Sequence, residues 1–183
     1  MSKAAILIAD GCEECEALIQ VDMLRRAGID IDMVSITGNR QVTSARDITF
    51  ICDRILSDFD ADAYDAVILP GGMPGTIHLK EDARVISLIK KFNSDKKLVA
   101  AICAAPTVLG YAGILKGRNA TCYPGMEDGL TGATKKTDPV VREGNIITSR
   151  GLGTALAFAG AIIEYLTDAP TAKRVLDGVV YKN

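Results

Sequence analysis

Short apolar runs, each too brief for a buried helix and each followed by a helical pattern, recur from one end of this chain to the other. Residues 4–9, 29–36, 66–69, 98–102 and 146–148 read as buried strands. Residues 15–27, 82–93, 107–115 and 154–167 read as helices, the first stopped by Gly28. The 42–52 stretch is β-rich but polar at intervals, which predicts short edge strands or a hairpin. Residues 120–141 predict loops with short strands, and a short helix from Thr171 precedes an apolar end, Val179-Val180-Tyr181. Apolar strands separated by helices imply right-handed βαβ units. The expected class is therefore α/β, a doubly wound, mostly parallel sheet with helices on both faces. Residues 1–183 are expected to form a single domain. In such sheets ligands bind beyond the carboxyl ends of the strands, so the residues following each strand carry the information.

Composition removes several classes of function. Lys and Arg number 21 against 23 Asp and Glu, for a net charge of −2. No basic block is present to track a phosphate backbone, so nucleic acid is not expected as a primary ligand. The apolar start is interrupted by Asp10, and no apolar run approaches bilayer-spanning length. No membrane association and a cytoplasmic location are expected. In that compartment Cys12, Cys15, Cys52, Cys103 and Cys122 should be free thiols. Only Cys12 and Cys15 are paired in spacing and His78 is the sole histidine, which argues against a metal site.

The most informative strand end is Ala100-Ala101-Ile102-Cys103-Ala104-Ala105-Pro106. A buried strand runs straight into a helix, with a cysteine at the turn and small residues beside it. This is the logic of a nucleophile elbow, in which small neighbours permit a strained turn that exposes the reactive atom. Pro106 suits the first helical position. The helix N-terminus is expected to lower the Cys103 pKa. A small core cysteine is the competing reading.

Paired glycines in Leu69-Pro70-Gly71-Gly72 allow backbone N–H groups to approach a ligand, as an oxyanion hole requires. In Asp10-Gly11-Cys12-Glu13-Glu14-Cys15-Glu16 the acidic residues suit a helix start. Glu16, where the helix turns apolar, would have a raised pKa if it faced the crevice and could exchange a proton with Cys103. Cys12 and Cys15 also have dithiol redox spacing, although the intervening glutamates disfavour a thiolate. Ser149-Arg150-Gly151 reads as a tight turn presenting Arg150 to an anion, and His78 is a candidate base or a plain surface residue.

Six segments recur together: Gly11-Cys12-Glu13-Glu14-Cys15-Glu16, Arg25-Arg26-Ala27-Gly28, Ser44-Ala45-Arg46-Asp47, Tyr64-Asp65 through Pro70-Gly71-Gly72, Ala100 through Pro106, and Thr148 through Thr154. In order and spacing they resemble the ThiJ/PfpI superfamily, in the branch of the parkinsonism-associated protein deglycase and its bacterial relatives. The resemblance covers essentially the whole chain. It implies a flavodoxin-like sandwich, a homodimer, and no metal or organic cofactor. It also implies that Cys103 is a nucleophile readily oxidised to sulfinate and that Glu16 is its protonated partner. Gly72 and Ala104 match the anion pocket, and Arg46 and Arg150 match arginines near that pocket or the dimer contact. Two departures matter. Ala104 stands where a protease-like branch has histidine, which argues against a peptidase. Tyr123 precedes Pro124 where the deglycase branch usually has histidine, and a phenol is a poor base near neutral pH.

Two functions follow as expectations. One is a cysteine-dependent enzyme acting on reactive dicarbonyls, such as methylglyoxal, or on early glycation adducts of proteins. The other is a redox sensor or stress-protective protein working through oxidation of Cys103. A glutamine-amidotransferase-like hydrolase would need a C-terminal histidine, and none follows His78.

Overall fold

The computed structural model describes residues 2–182. The chain begins with β1 (Lys3–Ile8), α1 (Glu14–Arg26) and β2 (Asp30–Ser35), then forms a hairpin of β3 (Gln41–Thr43) and β4 (Thr49–Ile51). It continues through β5 (Arg54–Ile55), β6 (Ala66–Leu69), α2 (Gly75–Glu81), α3 (Ala83–Ser94), β7 (Leu98–Ile102) and α4 (Pro106–Tyr111). The last third holds β8 (Asn119–Ala120), β9 (Thr134–Lys135), β10 (Val140–Glu143), β11 (Ile146–Ser149), α5 (Ala155–Leu166) and α6 (Ala169–Gly178).

Seven strands form one sheet in the order β10-β11-β7-β6-β1-β2-β5. Every neighbouring pair is parallel except β10 with β11. Parallel strands survive only with both faces covered, and the cores show how the covering is divided. Ala4, Ile6 and Ile8 of β1 pack in a cluster with Leu24 of α1 and Phe158 and Ile162 of α5. The alternate residues Ala5 and Leu7 join the opposite cluster with Leu79 of α2, Phe92 of α3 and Leu109 of α4. The doubly wound sheet expected from the sequence is the one observed.

The strand order reverses between β1 and β6, because β2 lies to one side of β1 and β6 to the other. Connections leaving the carboxyl ends of these two strands diverge and open a crevice. The loop carrying Glu16 and the loop carrying Gly71 and Gly72 therefore meet there, with the end of β7 next in line.

Three local predictions need correction. Residues 75–81 form α2, which carries too few apolar positions to read as a helix; Leu79 alone is fully buried among its large apolar side chains. Asp82 then caps α3 by accepting the Arg84 N–H at 2.8 Å. The helix expected over 107–115 stops at Tyr111. Gly110 packs so closely on the Gly129 carbonyl that a β-carbon would lie 2.1 Å from its oxygen, and Gly113 at φ +78° turns the chain. Finally, β10 adds an antiparallel edge to β11, reaching two residues past the region read as loops with short strands.

Candidate active site

Cys103 immediately follows β7 and has φ +64°, the left-handed region that non-glycine residues seldom occupy. Holding a non-glycine residue there costs about 1–3 kcal/mol and requires support from its surroundings. The support is visible on both sides of the residue. The Cys103 N–H donates to the Ser149 carbonyl at 3.0 Å, and the Cys103 carbonyl accepts the Tyr123 N–H at 2.7 Å. Pro106 opens α4 three residues later. The elbow read from the sequence is present, and the small residues Ala104 and Ala105 beside it are buried.

The glycine loop after β6 closes over this turn. The Gly71 N–H donates to Glu16 Oε2 at 3.0 Å, while the Gly71 carbonyl accepts the Glu13 N–H at 2.9 Å. A β-carbon at Gly71 would lie 2.6 Å from Cys103 Cβ and 2.7 Å from Glu16 Oε2. Gly72 has φ +90°, and a β-carbon there would lie 2.2 Å from the Glu13 nitrogen. Gly72 is thus demanded by contact with the loop that follows β1, and Gly71 by contact with Cys103 after β7 and with Glu16 of α1.

Glu16 projects from the first turn of α1 and is only 1% exposed. Its Oε2 accepts the Gly71 N–H at 3.0 Å, and the Cys103 thiol and the Leu152 N–H also face the carboxyl and favour its charged form. None of these partners is a cation. Burial, helped by the neighbouring Glu13 and opposed by the donors of Gly71, Cys103 and Leu152, pushes its pKa up to about 7. Glu13 itself caps α1 by accepting the Glu16 N–H at 2.5 Å.

Burial, with the Glu16 charge and its contact adding to it, pushes the Cys103 thiol up to about 12. The Ala104 and Gly72 amides act in the other direction, because they donate towards the sulfur. The sequence predicts a lowered thiol, and here it needs correction. A helix of six residues starting beyond the turn does not outweigh desolvation and an adjacent carboxylate. Removing both protons would put two negative charges in one buried site, so the pair is doubly protonated below about pH 7 and keeps its remaining proton on the thiol above it.

Cys103, Glu16, Gly72, Ala104, Tyr123 and Arg46 all line one cavity of about 380 Å³. Arg46 is exposed at its edge, with one guanidinium nitrogen donating to the Ala45 carbonyl at 3.1 Å. Tyr123 is half-exposed. Arg150 does not line the cavity; its guanidinium donates to the Thr137 carbonyl at 3.0 Å. His78 is likewise elsewhere, on α2, with Nδ1 2.9 Å from the Asp10 carbonyl. Cys12 is buried and pushed up to about 12, chiefly by desolvation, whereas Cys15 is exposed; both are free thiols. Nothing in this arrangement supports a dithiol redox pair.

Sequence reading missed Gly71, which touches both reactive side chains, and the apolar wall of Met73, Met126 and Leu152. Gly71 stood in the quoted motif, but which of two adjacent glycines meets the thiol depends on the loop's path. Met126 and Leu152 come from distant segments and carry no local signal. Among the described residues there is no cluster of three or more metal-ligating side chains. No helix there is long and apolar enough to cross a membrane.

Known proteins share this architecture. The DJ-1/PfpI family model matches residues 2–165. Drosophila melanogaster protein dj-1beta is 40% identical over 98% of both chains. The deglycase TK1284 of Thermococcus kodakarensis is 32% identical over 90% of this chain and 99% of its own. An oxidized form of Toxoplasma gondii DJ-1 superposes with a TM-score of 0.96 at 32% identity, each chain covered completely. Agreement in length, sequence and backbone at this level leaves one assignment: the chain belongs to the DJ-1/PfpI family.

Proposed function

We propose that the chain is a cysteine-dependent enzyme acting on reactive dicarbonyls or on the early glycation adducts they form. The observation that carries this reading is the placement of the Cys103 thiol, on its strained elbow, in one cavity with the buried Glu16 carboxyl, both packed against Gly71, with the carboxyl pushed up to about 7. A group poised near neutral pH can both accept and return a proton. The similarity to a protein named deglycase points the same way.

With methylglyoxal, the Cys103 sulfur adds to the aldehyde carbon while its proton passes to Glu16. Glu16 returns that proton to the new alkoxide, giving a hemithioacetal, and the N–H groups of Gly72 and Ala104 stabilise the developing oxyanion. The Glu16 carboxylate then takes the C1 proton and delivers it to the C2 oxygen, forming an enediol. Moving the O1 proton to C2 by the same route yields the thioester of a 2-hydroxy acid. Water hydrolyses the thioester, releasing lactate and restoring the thiol. The carbon skeleton is internally oxidised at C1 and reduced at C2, so no external electron acceptor is consumed. Glu16→Gln keeps the size of the side chain but cannot carry the proton, and lactate release should fall at least ~100-fold. Full activity in that variant would remove the proton carrier from the reading.

A second reading rests on the same amides. Gly72 and Ala104 donate towards the sulfur, and such donors would also hold the oxygens of a sulfinate formed from Cys103 by two equivalents of peroxide. After mild peroxide, mass spectrometry should find Cys103 oxidised ahead of Cys52 and Cys122, both buried. Equal oxidation of the three would end the sensor reading.

A further inference from the structure

The wall of the Cys103 cavity opposite in character to Glu13, Glu16 and Arg46 is apolar. Met73 is 48% exposed, Tyr123 51% and Leu152 48%, and with Met126 they surround the opening. Large apolar side chains scattered singly over a surface need no explanation, but several gathered around one concave opening mark a binding site. Three chain segments supply them, the loops after β6, β8 and β11, so neither one helix face nor one strand pattern accounts for the grouping.

The cavity is also larger than methylglyoxal requires. At ~30 Å³ per non-hydrogen atom, the share of a water molecule in the liquid, the five such atoms of methylglyoxal fill at most about 150 Å³. The cavity holds about 380 Å³. It does not end at the methionines either. Met73 and Met126 form one side of an adjoining hollow of about 310 Å³, where Ile77 lies 43% exposed. Thr76, Lys80, Thr107 and Asp128 also line that hollow, so a substrate whose aldehyde reached Cys103 would lay the first part of its substituent along the apolar side of Met73, Met126 and Ile77. Flexible thioethers on both sides can adapt to different lengths and shapes of substituent.

The geometry points to 2-oxoaldehydes bearing an alkyl chain or aryl ring on the ketone carbon as the substrate class of this site. Met73, Met126 and Leu152 select that substituent. This rests on the dicarbonyl activity proposed above and adds to it a preference that methylglyoxal alone would not reveal. Polyhydroxylated dicarbonyls derived from sugars fit the same space less well. Against the wall of Met73, Met126 and Leu152 their hydroxyls would lose water without gaining partners.

The test is a series of straight-chain alkylglyoxals from methyl to butyl, whose carbonyl reactivities are closely similar, assayed with wild type, Met126→Ser and Leu152→Ser. In wild type kcat/KM should rise about fourfold per added methylene, the factor corresponding to ~0.8 kcal/mol for each buried CH₂. In each variant the rise should drop below twofold per methylene, read as a ratio between substrates so that any general loss of activity cancels. Leu152 is half-exposed, so its variant should fold even if Met126→Ser does not; melting curves check both. A flat series in wild type overturns the inference, as does a slope unchanged in both variants or higher kcat/KM for 3-deoxyglucosone than for butylglyoxal. If Cys103-dependent turnover of methylglyoxal is present and the series is flat, this inference alone fails. If no alkylglyoxal is turned over, the proposed activity fails and the inference with it.

Discussion

Gly71 and Cys103 are packed so tightly that the smallest side chain at Gly71 would lie 2.6 Å from Cys103 Cβ and 3.0 Å from its sulfur. The backbone of one loop thus forms the wall against which the thiol rests, and the same residue donates its N–H to Glu16. Gly71→Ala should therefore damage the site and the fold together. We expect destabilisation by about 1–3 kcal/mol from overpacking. The iodoacetamide reactivity of Cys103 should also change, because the thiol and carboxyl must move apart. Melting temperature and alkylation rate, measured on one preparation, check both parts.

Glu16 makes stability depend on pH in a definite direction. Its carboxyl is raised from 4.5 to about 7 in the fold. Below the unfolded value both states are protonated and burial carries no electrostatic cost. As pH rises towards and through 7 the unfolded state ionises more readily than the folded one, and stability is lost. At ~1.36 kcal/mol per pKa unit the loss is about 3 kcal/mol. Glu16→Gln should therefore gain stability relative to wild type between pH 4 and pH 8, as urea unfolding at the two pH values would report. A difference that stayed constant across that range would contradict the assignment.

The coupling between Glu16 and Cys103 sets the pH dependence of reactivity. Turnover of methylglyoxal should rise through about pH 7, as Glu16 acquires the charge that lets it accept the thiol proton. In Glu16→Gln that rise should vanish. The alkylation profile of Cys103 should at the same time move to lower pH, because burial remains but the carboxylate charge that raises the thiol is gone. An alkylation profile identical to wild type would show that the two groups are not coupled.

His78 bonds the Asp10 carbonyl on the surface and does not line the cavity. His78→Ala should keep kcat/KM within about twofold, with a stability loss of ~0.5–1.5 kcal/mol for the hydrogen bond at most. A large loss of activity would mean that α2 reaches the reacting atoms.

The sheet was legible because its strands are apolar on both faces, a pattern that only a covered parallel sheet produces. The elbow was legible because Cys103 sits between a buried strand and Pro106, a purely local signal. Glu16 was legible as a carboxylate out of place at the start of an apolar helix face. The sign of the thiol shift was not, because it depends on how deeply Cys103 is buried and how near Glu16 lies, and neither can be read along the chain. Arg150 follows a core strand much as Cys103 does, yet its side chain turns to Thr137. Position after a strand places the backbone at the crevice and leaves the side chain free to point elsewhere. Met126 and Leu152 reach the cavity only through folding of separate loops. Asp82 was read as the start of a helix, and it is one; the preceding turn of α2 was hidden because only one of its large apolar side chains is fully buried.

We propose Cys103 as the nucleophile of a dicarbonyl-consuming enzyme. Lactate formation from methylglyoxal by wild type and by Cys103→Ala, with the oxidation state of Cys103 recorded by mass spectrometry, tests it most directly. The reduced wild-type protein should form lactate, and the variant should do so at least ~1000-fold more slowly, since the covalent route has no substitute. Lactate formation at an undiminished rate by correctly folded Cys103→Ala would contradict it.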